Sequence, residues 1–149
     1  PKRVVGVCSL DPKSGCDALS SAILDFGTGQ ASFVVGTQHV PYQRVHIFGT
    51  KGHLEVEIPF NAPHNRPCKV YLDEGFEGSP DFTVSKSSDE RRELLPSEAA
   101  NHYTRQAQAF SAAIRNGTPI KNDMQSAVAN MRIIDAIFRS AESERWEKL

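Results

Sequence analysis

The chain has 149 residues, 39% hydrophobic and 23% charged, with a formal net charge of −1. That length suffices for one domain with its own core, and near neutrality supplies no basic field for nucleic acid. No run approaches the ~18 apolar residues of a membrane span, and none reads as a secretory leader. The expectation is a cytoplasmic protein with no membrane or nucleic-acid partner.

The three cysteines, Cys8, Cys16 and Cys68, form no C-x-x-C pair, so reduced thiols are expected rather than a disulfide framework or a zinc knuckle. The first residue is Pro1, and Arg3-Val4-Val5-Gly6-Val7 already reads as a strand. The natural N-terminus is therefore expected to lie upstream.

In chain order, the first two thirds alternate with period two. Ala22, Leu24 and Phe26 share one side of a strand, Ile23 and Asp25 the other. After Gly27-Thr28-Gly29, a return strand places Ala31, Phe33 and Val35 opposite Ser32 and Val34, which predicts a hairpin. Pro41 marks a loop holding His39 and Tyr42. A second hairpin is predicted over residues 43–58. Its outgoing strand is Arg44-Val45-His46-Ile47-Phe48, and its return strand turns Leu54, Val56 and Ile58 inward and His53, Glu55 and Glu57 outward. Residues 59–67, rich in proline and asparagine, read as loop. Shorter strands are expected at 69–73, 82–86 and 91–95, with the glycine-bearing stretch 74–80 between the first two.

The last third changes period. Tyr103, Ala107, Phe110 and Ile114 form one helical stripe. Ser97 is the expected N-cap, Gly117 the stop, and Pro119 bars continuation. A second helix is expected from Asn122 as cap, with Gln125 completing a capping box. Its stripe is Ala127, Met131, Ile134, Phe138 and Ala141. Residues 144–149 read as a short edge strand or tail. Strands in hairpins followed by two helices predict one α+β domain over residues 1–149: an open, mainly antiparallel sheet with two C-terminal helices packed on one face. Two helices cover one face of such a sheet. The other, with Ile23, Val34 and Phe48, calls for a partner, so a homodimer through the open sheet face is expected.

Several motifs were weighed for chemistry. Gly27-Thr28-Gly29-Gln30-Ala31-Ser32 approaches the dinucleotide fingerprint G-x-G-x-x-G. That motif works by aiming a helix N-terminus at a pyrophosphate, whereas a strand follows here, so a hairpin turn is expected and no nucleotide. The histidines His39, His46, His53, His64 and His102 show no metal-ligand spacing. His46 and His53 lie on neighbouring strands and are read as polar sheet-face residues, as are Glu55 and Glu57. His102 is expected exposed and Tyr103 packed in the core. Asn116-Gly117-Thr118 reads as a helix C-cap rather than a glycosylation site. No nucleophile set can be assembled from spacing, so no catalytic, cofactor-binding or metal-binding residue is assigned. His39 and Tyr42 can hydrogen-bond a hydroxyl from a loop at the end of a sheet.

Three stretches resemble one family. Asp17-Ala18 leading into Ala22-Ile23-Leu24-Asp25-Phe26-Gly27-Thr28-Gly29-Gln30-Ala31 is similar to its first hairpin. Val45-His46-Ile47-Phe48-Gly49-Thr50-Lys51-Gly52-His53-Leu54-Glu55-Val56, continuing into Ile58-Pro59-Phe60-Asn61-Ala62-Pro63, is similar to its second. Tyr103, Gln106, Phe110, Gly117 and Pro119, then Asn130-Met131-Arg132-Ile133-Ile134-Asp135-Ala136-Ile137 and Ser140-Ala141, resemble its helical ending. The resemblance is to the C-terminal domain of the Gfo/Idh/MocA oxidoreductases, especially dihydrodiol and sugar dehydrogenase-like members. It implies a parent that binds NAD or NADP in an N-terminal Rossmann domain and passes hydride to or from a sugar, polyol or related hydroxy compound. This domain would form a wall of the substrate site and the dimer interface. The chain lacks the family's Glu-Lys-Pro motif and Rossmann half, so it is expected to bind no nucleotide and to be inactive alone. The loop before Val45 faces substrate in some relatives, which points to His39, Tyr42 and Arg44 as substrate contacts. Two other readings stay open: a non-enzymatic family member and an independent α+β binding module.

Overall fold

In a computed structural model, residues 1–73, 92–120 and 122–149 are described. The strand expected at 82–86 and the loop at 74–80 lie outside them. The elements run β1 (Arg3–Leu10), β2 (Asp17–Asp25), β3 (Gln30–Gly36), β4 (Val45–Gly49), β5 (Gly52–Val56), β6 (Val70–Asp73), β7 (Arg92–Leu95), α1 (His102–Asn116), α2 (Met124–Ser143) and β8 (Glu147–Lys148). All strand pairings are antiparallel. The α+β class predicted from the pattern is therefore observed. The strands divide into two four-stranded sheets, ordered β3-β2-β1-β8 and β4-β5-β6-β7. The chain correspondingly forms two compact units, residues 1–40 with 119–149, and residues 41–118.

In the first unit the hairpin register places Ala22 opposite Phe33 and Leu24 opposite Ala31, while Val4, Gly6 and Cys8 stand opposite Leu24, Ala22 and Ser20. These residues share one face by alternation. Helix α2 covers it, and Val4, Ala22, Ala136 and Ile137 form the buried core, with Cys8, Leu24 and Ile133 packed against it. Burial of this apolar face stabilises the unit by roughly 25 cal/mol per Å² removed from water. The helix uses a different face from the predicted one. Ala136, Ile137 and Ser140 are its buried residues, whereas Met131, Ile134 and Phe138 remain exposed.

The reason is the closeness of the approach. A Cβ at Gly6 would lie 2.6 Å from Ile137 Cγ2 and 2.9 Å from its carbonyl oxygen, so only glycine on the strand and small residues on the helix fit there. Ser140 serves the same contact with its hydroxyl. It accepts from the Gly6 amide at 3.0 Å and donates to the Arg145 carbonyl at 2.5 Å. The tail then turns back, and β8 pairs with Arg3 and Val4 as the edge strand expected for residues 144–149. The Arg3 guanidinium lies 4.5 Å over the Trp146 ring.

Turn chemistry follows the sequence closely in this unit. Gly27 sits at φ 85°, its amide donates to Asp25 Oδ1 at 2.8 Å, and the Phe26 amide donates to the Gly29 carbonyl at 2.9 Å. Between β1 and β2, Asp11 Oδ1 accepts from the amides of Lys13 and Ser14, each at 2.8 Å, and Gln38 Nε2 donates to Asp11 Oδ2 at 2.7 Å.

In the second unit β4 and β5 form the predicted hairpin, with Gly49 opposite Gly52. Helix α1 buries none of its residues within the described structure. Tyr103, expected in the core, is 67% exposed. It lies in the first helical turn with its ring tilted on that of His102, 4.1 Å between centroids.

Both helices begin one cap away from the predicted residue or more. Asn101, not Ser97, caps α1 through its side-chain oxygen, which accepts from Tyr103 N and Thr104 N. The Ser97 hydroxyl instead donates to the Cys68 carbonyl at 2.8 Å. Asp123, not Asn122, caps α2 by accepting from Ser126 N, so Gln125 falls one position early for a capping box. Gly117 ends α1 in the left-handed region at φ 61°, as predicted.

Two outcomes are expected. Ser140→Ala strands the buried Gly6 amide and the Arg145 carbonyl, and urea denaturation should show a loss of about 1–3 kcal/mol with an unchanged slope. The hydrogen bonds from Ser14, Gln38 and Lys13 hold the Asp11 carboxyl down, from 3.8 to about 2. Over that window the unfolded chain binds more protons, so the stabilisation is present above pH 3.8 and is lost as pH falls towards about 2. Asp11→Asn should make the urea midpoint less pH-dependent across the same interval.

Candidate functional site

The three residues singled out for substrate contact divide between the units. His39 belongs to the first, Tyr42 and Arg44 to the second. The His39 ring lies against the backbone of Gly36, where a Cβ would come within 2.6 Å of His39 Cδ2. That pairing of a ring with a glycine anchors the histidine at the end of β3. Tyr42 is 75% exposed, and the Arg44 guanidinium lies 5.2 Å over its ring.

Arg44 is the organising cation of the second unit. Its Nε lies 3.2 Å from Glu55 Oε1 and its Nη2 lies 3.5 Å from Glu57 Oε1. Its Nη1 donates to the carbonyls of Gln43 and Glu57. Glu55 is shared, since Arg92 Nη2 donates to Glu55 Oε2 at 2.7 Å. Arg92 in turn stacks over Tyr71 at 4.1 Å. The Gln43 side-chain oxygen accepts from the amides of Phe60 and Asn61 at 3.2 Å, which ties the proline-rich loop to the start of β4.

The sheet register explains this assembly. His46 stands opposite Glu55 and Phe48 opposite His53. Tyr71 stands opposite Glu55 and Leu94 opposite Tyr71. One face of the second sheet is thus polar and aromatic, while Leu54, Val56, Val70 and Leu72 point the other way. Glu55 and Glu57, expected on a solvated or interfacial face, are the anchors of Arg44 and Arg92. Carboxylates committed to two guanidiniums are poor general bases, because proton uptake costs them both ion pairs. Tyr42 and the unpaired part of the loop remain able to meet a hydroxyl-bearing ligand.

Sequence spacing missed Tyr71, Arg92 and Gln43. Arg92 meets Glu55 across 37 positions, a pairing set by β6 lying between their strands rather than by any local pattern. Among the described residues no group of three or more His, Cys, Asp or Glu is placed to hold a metal ion, and no helix is long and apolar enough to cross a membrane.

The glycine turn does not fit a dinucleotide. Its glycines close a hairpin between β2 and β3, the next element is a strand, and a Cβ at Gly27 would sit 2.5 Å from Lys2 Nζ. No helix N-terminus points there, so the residues that cradle a pyrophosphate are not supplied by this turn.

Comparison with known proteins agrees with this architecture. Residues 17–149 match the family model of the oxidoreductase family, C-terminal alpha/beta domain, of the Gfo/Idh/MocA proteins. An uncharacterised oxidoreductase of Rhizobium meliloti is 38% identical over 148 residues, covering 99% of this chain and 42% of the relative. D-xylose 1-dehydrogenase (NADP(+)) 2 of Haloferax volcanii is 27% identical over 147 residues, covering 96% of this chain and 40% of that protein. The chain thus spans about two fifths of the length of the curated relatives it matches. Among solved structures, aldose–aldose oxidoreductase from Caulobacter crescentus complexed with glycerol superposes with a TM-score of 0.76 at 21% identity, over 100% of this chain and 41% of that one. The chain belongs to the Gfo/Idh/MocA oxidoreductase family and carries its C-terminal α/β domain.

Proposed function

We propose that this domain is the substrate-side half of an NAD(P)-dependent oxidoreductase acting on a sugar, polyol or related hydroxy compound. The observation that carries the reading is the family match over residues 17–149, joined to relatives that are a xylose dehydrogenase using NADP and an aldose–aldose oxidoreductase. An N-terminal Rossmann domain of the same protein holds the nicotinamide cofactor, since the only glycine-rich turn resembling a nucleotide motif here is a hairpin. The cofactor supplies the hydride chemistry. This chain's part is to bind and orient the hydroxyl-bearing substrate, and it is inactive by itself in the cytoplasm.

Within that division of labour, His39, Tyr42 and Arg44 are the substrate-facing residues. Tyr42 offers an exposed ring and hydroxyl, a combination suited to the mixed apolar and polar faces of a sugar. Arg44, held by Glu55 and Glu57, fixes the Tyr42 ring from one side.

A homodimer through the open sheet face completes the proposal. On the first sheet, the face away from α2 carries Val5, Val7, Ile23 and Val34 around a shallow apolar hollow. Val7 and Val34 are 69% and 71% exposed. Contiguous apolar surface of that kind favours association. Phe48 of the second sheet is also exposed.

The chain alone is expected neither to turn over NAD or NADP with aldoses nor to bind either at micromolar concentration. In the full-length protein, His39→Ala and Tyr42→Phe should raise KM for an aldose about tenfold with a smaller effect on kcat. Turnover by the chain alone, or an unchanged KM in both variants, contradicts the assignment. Light scattering should report twice the chain mass at micromolar concentration, and Val34→Asp should return a monomer. A monomeric wild type removes the dimer from the proposal.

A further inference from the structure

The β4–β5 hairpin brings two imidazoles into a geometry that the substrate reading does not use. His46 Nδ1 and His53 Nε2 lie 2.9 Å apart. The rings are nearly parallel, 14° between planes with centroids 5.1 Å apart. They are not a cross-strand pair: His46 faces Glu55 and His53 faces Phe48, so the contact is the diagonal one that a twisted hairpin allows long side chains to make. Phe48 stacks on His53, with centroids 4.4 Å apart and planes at 9°, and so limits the rotation of that ring. On the far side of β5, Asp73 stands opposite His53 and brings a carboxylate to the same sheet face.

We propose that His46 and His53 form a two-nitrogen chelate for a tetragonal transition-metal ion, Cu(II) first and Ni(II) second. The argument is one of bite. With metal–nitrogen bonds of about 2.0–2.1 Å, two imidazoles at a right angle hold their nitrogens about 2.9 Å apart, whereas the tetrahedral angle needs about 3.4 Å. The observed 2.9 Å matches the right angle and so disfavours zinc. Water fills the other positions, which agrees with the lack of a third protein ligand among the described residues. Whichever ring donates in the metal-free pair moves its proton to its other nitrogen, leaving both facing nitrogens as acceptors without a change in net protonation. The nearby carboxylates of Glu55, Glu57 and Asp73 outnumber the guanidiniums of Arg44 and Arg92 on this sheet, so the local field favours a cation.

The test is Cu(II) titration of the whole chain in a non-coordinating buffer, followed by electron paramagnetic resonance. One ion per chain should bind, with pulsed spectra showing two imidazole ligands on one copper. His46→Gln and His53→Gln should each weaken binding at least about tenfold, and His64→Gln should leave it unchanged. Zn(II) should compete poorly. Spectra of the wild type showing a single imidazole, or affinities unaffected by either hairpin variant, overturn the proposal. The wild-type spectra decide the matter even if a variant folds badly.

Discussion

The first unit depends on how near α2 comes to β1. That distance is set at Gly6, where no Cβ intervenes between the strand and the Ile137 backbone. Close approach lets Ala136 and Ile137 reach Val4 and Ala22 and form the core. It also brings Ser140 within range of the Gly6 amide, which faces outward from the strand past the end of β8. An edge amide buried under a helix without a partner would cost about 1–3 kcal/mol. The serine hydroxyl meets it and, in the same step, ties down the turn that leads β8 back to β1. Core packing, edge satisfaction and the path of the C-terminus thus follow from one missing methyl group and one hydroxyl.

The second unit is organised by charge. Glu55 lies between Arg44 and Arg92, with both cations additionally stacked on tyrosine rings. The glutamate side chain is only 15% exposed. Two guanidiniums at such a carboxylate offset the desolvation that a partly buried ion suffers, and the rings cover the remaining faces of the cations. The network joins residues 42–44, β5, β6 and β7, so the loop carrying Tyr42 is fixed to a sheet rather than left to its prolines. A residue that meets a ligand from a loop gains from such an anchor, because less of its freedom remains to be lost on binding.

Much of this was legible in the sequence, and the failures share a cause. Both hairpins, the glycine turns, the stop at Gly117 and the edge strand near the C-terminus rest on local rules, and each appears where residues a few positions apart dictate it. The helix faces do not. Helix α2 carries two apolar stripes, one through Ile133 and Ile137 and one through Met131, Ile134 and Phe138, and hydrophobicity favours the bulkier. The sheet selects the other because Gly6 admits only a close, small-residue contact, which no periodicity within the helix reveals. The caps shifted for a related reason. Asn101 and Asp123 are as good caps as Ser97 and Asn122, and the choice among them rests on where the preceding chain is held, as Ser97 is by Cys68. Of the site, the loop and its residues were visible, but the partners of Arg44 required β6 and β7 to be placed.

The distribution of apolar surface bears on why such a domain exists at all. Among the described residues only Val4, Ala22, Ala136 and Ile137 are buried hydrophobics. Tyr103, Phe110 and Ile114 on α1, Met131 and Ile134 on α2, and Val7 and Val34 on the first sheet are all exposed. Each of these stripes keeps the spacing of a buried face. Scattered surface leucines would need no explanation, but repeated, periodic stripes imply cover. Apolar area left in water gives up roughly 25 cal/mol per Å², so a chain that exposes several such faces gains stability each time one is covered. A domain of this kind fits a role in which its folding and its function both rest on contact with further polypeptide, which is the same condition the proposed division between cofactor-binding and substrate-binding halves imposes.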